Sequence, residues 1–112
     1  MEVKDAKDLL EYAKNPEKII SPVVCDELLF WASSWLTDYE ESLAEVDQQV
    51  AQKRLQLISL HGSVGKGDAY LEVEDIYLQQ KTIERRIREL KAFKSNTRRR
   101  YEILSNKALQ KY

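Results

Sequence analysis

At 112 residues the chain is at most one domain, with 43% hydrophobic and 33% charged residues but only three glycines and two prolines. That balance excludes collagen-like, low-complexity and disulfide-scaffold classes and points to long helices with a thin apolar seam. The net charge of −1 hides an asymmetry, because residues 1–60 hold 6 basic and 12 acidic side chains and residues 61–112 hold 12 and 7, which fits either a nucleic-acid partner or pairing of the two halves.

Taken in chain order, residues 2–14 read as a short amphipathic helix, with Val3, Ala6, Leu9, Leu10 and Ala13 on one side. Asn15-Pro16 ends it, since proline disfavours helix in the residue before it. Ser21 suits an N-cap and Pro22 the first helical position. The next helix is predicted over 22–60, about 58 Å at 1.5 Å per residue. Its stripe is Leu29, Ala32, Leu36, Tyr39, Leu43, Val46, Val50, Lys53, Leu57 and Leu60, a three-four alternation that signals a coiled coil.

Residues 61–68 contain all three glycines and are predicted as the turn, with Ser63 or Asp68 as the cap of the helix after it. The second long helix is predicted over 69–110. Its stripe is Val73, Ile76, Gln80, Ile83, Ile87, Leu90, Lys94, Thr97, Tyr101, Leu104 and Ala108. Residues 71–74 alternate like a strand, but no partner strand exists in the sequence, so helix is preferred. The fold class expected is therefore all-α: one single-domain antiparallel hairpin, coiled-coil-like, with a short N-terminal helix.

A turn centred near Gly65 would place residue i opposite residue 130 − i. Leu43 then meets Ile87, Val50 meets Gln80, Leu36 meets Lys94 and Leu29 meets Tyr101. Leu43, Val46, Val50 and Leu57 are expected to bury against Val73, Ile76, Ile83 and Ile87. Residues 19–47 carry seven acidic and no basic side chains, and lie opposite Arg85, Arg86, Arg88, Lys91, Lys94, Arg98, Arg99, Arg100 and Lys107. Around residues 28–35 the first helix is apolar on every face, which demands burial on several sides. Leu28, Phe30, Trp31 and Trp35 are the expected interface of a homo-oligomeric bundle.

Signals for chemistry are few. A phosphate-binding loop would need glycine where Leu60 stands and serine or threonine where Gly67 stands. The single His61 and the single Cys25 are remote in the hairpin and compose neither a metal site nor a nucleophile-base pair. No enzyme activity, cofactor or metal is expected. One cysteine allows no intrachain disulfide, the N-terminus shows no signal peptide, and no run reaches membrane-span length, so a cytoplasmic protein without a membrane partner is expected.

The basic run is the strongest functional signal. Residues 81–112 hold 11 basic and 3 acidic side chains. Arg85, Arg88, Lys91, Arg98, Arg99 and Arg100 are the candidate nucleic-acid-binding residues, with Phe93 and Tyr101 as stacking partners for a single strand. The competing reading is that these cations pair with the acidic first helix. Residues 98, 99 and 100 spread over roughly 200° of a helix, so they cannot all face one neighbour.

The pattern of residues 61–90, opening on His61-Gly62-Ser63-Val64 and followed by a basic helix, resembles small bacteriophage and prophage proteins over about residues 45–104. In those proteins a long helix ends in a Gly-Ser-Val turn, followed by a tyrosine-containing segment and a second charged helix. Gly65 and Gly67 stand where such helices usually carry alanine, which sets the start of the second helix later. The resemblance carries no assigned activity. It implies an accessory of DNA recombination, replication or host takeover, and with the residue readings above the expected function is a non-enzymatic, self-assembling accessory of DNA recombination or replication. The alternative is an inhibitor of a host nuclease or defence complex, acting through the acidic surface from Asp38 to Asp47.

Overall fold

The computed structural model describes residues 9, 11, 12, 14–19 and 21–110. They form an all-α fold whose long elements are α1, Pro22–His61, and α3, Asp75–Gln110, with a short α2, Val64–Leu71, between them. A 3-10 turn over Pro16–Lys18 precedes α1. Of the helix predicted over 2–14, the described residues 9, 11, 12 and 14 are helical, and the rest lies outside the described residues. Contacts divide the chain into two compact units: residues up to Asp38 with those from Arg88 onward, and Tyr39–Ile87.

Local chemistry sets the helix starts. The Ser21 hydroxyl accepts from the Val24 amide at 3.3 Å, satisfying a donor that has no partner within the helix, and Pro22 follows at the first helical position. Ser63 caps α2 in the same way, accepting from the Lys66 amide at 3.2 Å from an extended backbone. Asp68 is not the cap; it pairs with Arg54.

The predicted turn over 61–68 needs correction. Helix α1 ends at His61, and Gly62 (φ 77°) follows in the left-handed region, its amide bonding back to the Ile58 carbonyl at 2.8 Å. The chain reverses at residues 62–63, and α2 is already the returning arm. Gly67 lies against α1 so closely that a Cβ there would meet Ile58 Cγ1 at 2.6 Å and the Ile58 Cα and N at 2.9 Å. The returning arm breaks once more at residues 72–74, which are a turn and neither strand nor helix. The second helix predicted over 69–110 is thus two helices.

An earlier reversal shifts the register. In the Tyr39–Ile87 unit, Gln80 donates to the Asp47 carboxylate at 2.7 Å and Lys53 lies 3.8 Å from Glu74, so residue i meets about residue 127 − i, not 130 − i. Val50 therefore packs in one cluster with Leu57, Leu71, Val46, Ile76 and Tyr77, and Gln80 bonds to Asp47. Val73, expected in the core, is 75% exposed because it sits in the turn between α2 and α3. Leu60, one residue before the end of α1, is equally exposed. Leu43 and Ile83 are half-buried, and Ile87 is buried.

In the other unit the buried stripe of α1 is Cys25, Leu28, Ala32 and Leu36, and that of α3 is Leu90, Phe93 and Thr97. Leu9 and Ile19 are buried in the same unit. Among buried side chains of the described residues no polar atom lacks a hydrogen-bond partner.

The three glycines give a graded test. Gly67→Ala must displace Ile58 backbone and should destabilise by about 1–3 kcal/mol. Gly62→Ala should cost about 1 kcal/mol, since an L side chain is disfavoured at that φ. Gly65 has open space around it, and Gly65→Ala within α2 should stabilise by about 0.5–1 kcal/mol. Thermal and urea unfolding followed by circular dichroism would check the order; a Gly67→Ala protein as stable as wild type would contradict the close packing of α2 on α1.

Candidate nucleic-acid interface

Helix α3 positions the basic residues, and its seam decides which of them face solvent. Steps of three or four residues link Leu90, Phe93, Thr97, Arg100 and Leu104 along the inner side. Of these, the first three are buried, while Arg100 and Leu104 are half-buried. Arg88, Lys91, Arg98 and Arg99 fall on the opposite side and are exposed. All four belong to the unit that begins again at Arg88, whereas Arg85, also exposed, belongs to the Tyr39–Ile87 unit.

Between Arg88 and Lys107, α3 carries seven basic residues against Glu89 and Glu102. No carboxylate among the described residues lies within 4 Å of Arg88, Arg98 or Arg99. Arg85, Arg86, Glu89 and Lys91 each hold a polar or electrostatic contact. Along the outer side Ala92, Ser95 and Asn96 separate the two exposed cationic groups.

Arg100 departs from its expected role. Its Nε donates to the Ile19 carbonyl at 3.2 Å, satisfying a backbone acceptor just before α1, and its charge acts on the buried Cys25 thiol. Burial pushes that thiol above its ordinary value of 9.0, Arg100 offsets part of the rise, and Asp26 adds to it. Phe93, expected as a stacking platform, is 2% exposed and belongs to the core. Tyr101 is half-buried.

The aromatic cluster on α1 lies in the same unit. Leu28 is fully buried, so it cannot belong to an interface with another chain. Phe30 is 66% exposed and meets Trp31 edge-on at 5.5 Å, while Trp31 and Trp35 lie 5.7 Å apart at a tilt of 34°.

Pairing across the hairpin in the Tyr39–Ile87 unit includes a polarity opposite to the expected one. There the basic residues of α1 meet acidic residues of the returning arm: Lys53 with Glu74, and Arg54 with Asp68 through Nε at 2.7 Å and Nη2 at 3.4 Å. His61 stacks on Tyr70 at 3.8 Å and 9° across the reversal. Sequence reasoning missed these contacts and the inward turn of Arg100. The signal for Arg100 was present, because it continues the three-four spacing from Phe93 and Thr97.

Among the described residues, surface depressions accompany the helices of the Tyr39–Ile87 unit. One of about 460 Å³ is lined by Asp75, Leu78, Gln79, Thr82 and Ile83, another of about 350 Å³ by Gln49, Gln52, Lys53, Gln56, Glu74 and Ile76. In the first the Thr82 hydroxyl donates to the Leu78 carbonyl at 3.0 Å, and in the second Lys53 lies 3.8 Å from Glu74. No helix among the described residues is long and apolar enough to cross a membrane. No protein-family model matches the chain, and no curated protein or solved structure does either.

Arg100 and Arg99 should separate cleanly in stability. Arg100→Ala leaves the Ile19 carbonyl without its charged donor and should cost about 1 kcal/mol, while Arg99→Ala should stay within about 0.5 kcal/mol. Cys25 adds a pH dependence. Its pKa is raised in the folded state, so above pH 9.0 the unfolded chain loses the thiol proton first. This contribution to stability is complete below that pH and falls as pH rises through the folded value. Urea titrations from pH 8 upward should show the fall in wild type and a shallower one in Cys25→Ala.

Proposed function

We propose that this protein is a non-enzymatic helical interaction module that binds nucleic acid through the exposed basic side of α3. The observation that carries this reading is the placement of Arg88, Lys91, Arg98 and Arg99 on the solvent side of one helix within one compact unit. Cations placed so can replace the counterions of a phosphate backbone, which is the main source of sequence-independent affinity. Given the resemblance over residues 45–104, the setting proposed is the handling of phage-type DNA in the cytoplasm during recombination or replication.

Labelled mixed-sequence DNA, single- and double-stranded, tests the reading by fluorescence anisotropy across a salt series. Binding at low salt should weaken steeply as salt rises. Arg98→Ala and Arg99→Ala should each flatten the logarithmic slope by about 1. Arg100→Ala, whose side chain is turned inward, should leave the slope unchanged. No binding at low salt to either form would remove the nucleic-acid reading.

Self-assembly is the second part of the proposal. Val23 and Phe30 expose most of their surface on α1, and Phe30 meets the half-buried Trp31, which lies against Trp35. Burying one such large side chain is worth about 1.5–3 kcal/mol, and a two-fold dimer meets the need with one self-complementary patch. Sedimentation equilibrium should find species heavier than the 13.1 kDa chain. Phe30→Ser with Trp35→Ala should return it to the monomer, and a wild type that stays monomeric at high micromolar concentration would exclude self-assembly.

A further inference from the structure

We infer that α3 between Arg88 and Arg99 clamps the two phosphate walls of a B-form DNA major groove, and does not track a single strand. The clamp presupposes the nucleic-acid reading above and adds the form of the polymer.

Spacing is the first ground. Arg88 and Lys91 stand at one end of the outer side, Arg98 and Arg99 at the other. Helical rise sets Arg88 and Arg98 about 15 Å apart along the axis, against a major groove about 12 Å wide. Long arginine side chains accommodate the difference. Between the ends the exposed residues Ala92, Ser95 and Asn96 are small and uncharged, while the half-buried Lys94 stands on the flank of the helix. A helix laid across the groove would place them over its mouth, where there is no phosphate, and its cations over the two strands. A single strand offers one continuous row of phosphates and no reason for the neutral gap. Glu102, the exposed carboxylate of this stretch, lies beyond the second cationic pair and outside the span.

Stacking is the second ground. Single-strand binders combine a basic track with exposed aromatic rings. Here Phe93 is buried in the core and Tyr101 is half-buried on the inner side of α3. The outer side has phosphate ligands and no ring. Double-stranded RNA is also a poor fit, because its major groove is narrow and deep.

The full-length chain is tested against three polymers of one mixed sequence: a 30-bp DNA duplex, its single strand, and the corresponding RNA duplex. The DNA duplex should bind at least about tenfold more tightly than either of the others, with a logarithmic salt slope of about −3 to −4. A charge-conserving relocation then tests the span. Arg88→Ala combined with Ala92→Arg moves the end cation one helical turn inward, and should bind the DNA duplex as weakly as Arg88→Ala alone. Single-strand or RNA-duplex affinity equal to that of the DNA duplex overturns the clamp while leaving nucleic-acid binding intact. Full recovery in the relocated variant overturns it too, because charge count alone would then suffice. Circular dichroism verifies that both variants are helical, and the polymer comparison uses the wild-type chain and stands apart from them. Binding to none of the three overturns the clamp together with the nucleic-acid reading.

Discussion

The close approach of Gly67 to Ile58 decides how the returning chain meets α1. With no Cβ in the way, the backbone of α2 can lie directly on that of α1, and Leu71 enters the cluster with Leu57 and Val50. The register of the unit follows. Once α2 is seated, Glu74 falls beside Lys53 and Gln80 beside Asp47. The breaks in the apolar stripe at Lys53 and Gln80 are therefore functional parts of the seam. Each supplies a polar side chain long enough to reach a partner on the facing arm at the edge of the core, where water still covers part of both. Apolar residues there would add burial but would pin the register less sharply, because they pack acceptably over a range of offsets.

The all-α class, the antiparallel return and the start of α1 were legible because each rests on a local or periodic signal. Ser21-Pro22 specifies a helix start without help from the rest of the fold. The three-four spacing identifies an inner side of α1 over tens of residues. The register was not legible, because three closely spaced glycines allow more than one reversal point and only tertiary packing chooses among them. Gly65, central in the sequence, has open space around it, whereas Gly62 holds the left-handed φ and Gly67 the close contact. A three-residue error in the register followed directly from centring the turn on the wrong glycine.

The candidate interface was legible in composition but only in part by residue. Arg98, Arg99 and Arg100 are chemically alike in sequence and differ in place by 100° each around the helix. That rotation puts Arg100 on the side of Phe93 and Thr97, where it holds the Ile19 carbonyl, and leaves the other two outside. Leu28 is the parallel case on α1. Among a run of apolar residues it has the spacing of Cys25, Ala32 and Leu36 and goes inside, while Phe30, two residues on, remains outside. Charge and hydropathy supplied the candidates; helical phase divided them between the core and the surface.

The same division explains how α3 can keep a strongly basic side. An arginine-rich helix repels itself, and exposed ion pairs relieve little of that, at about 0–1 kcal/mol each. The inner side of α3 meets this with Leu90, Phe93 and Thr97 all nearly inaccessible to water, so burial holds the helix along that side. Arg100 is the exception, recruited to a backbone carbonyl beside a buried thiol. Exposed residues such as Arg98 and Arg99 stand outside that packing. A helix anchored along one side by buried residues can carry exposed cations on the other without giving up the packing that holds it.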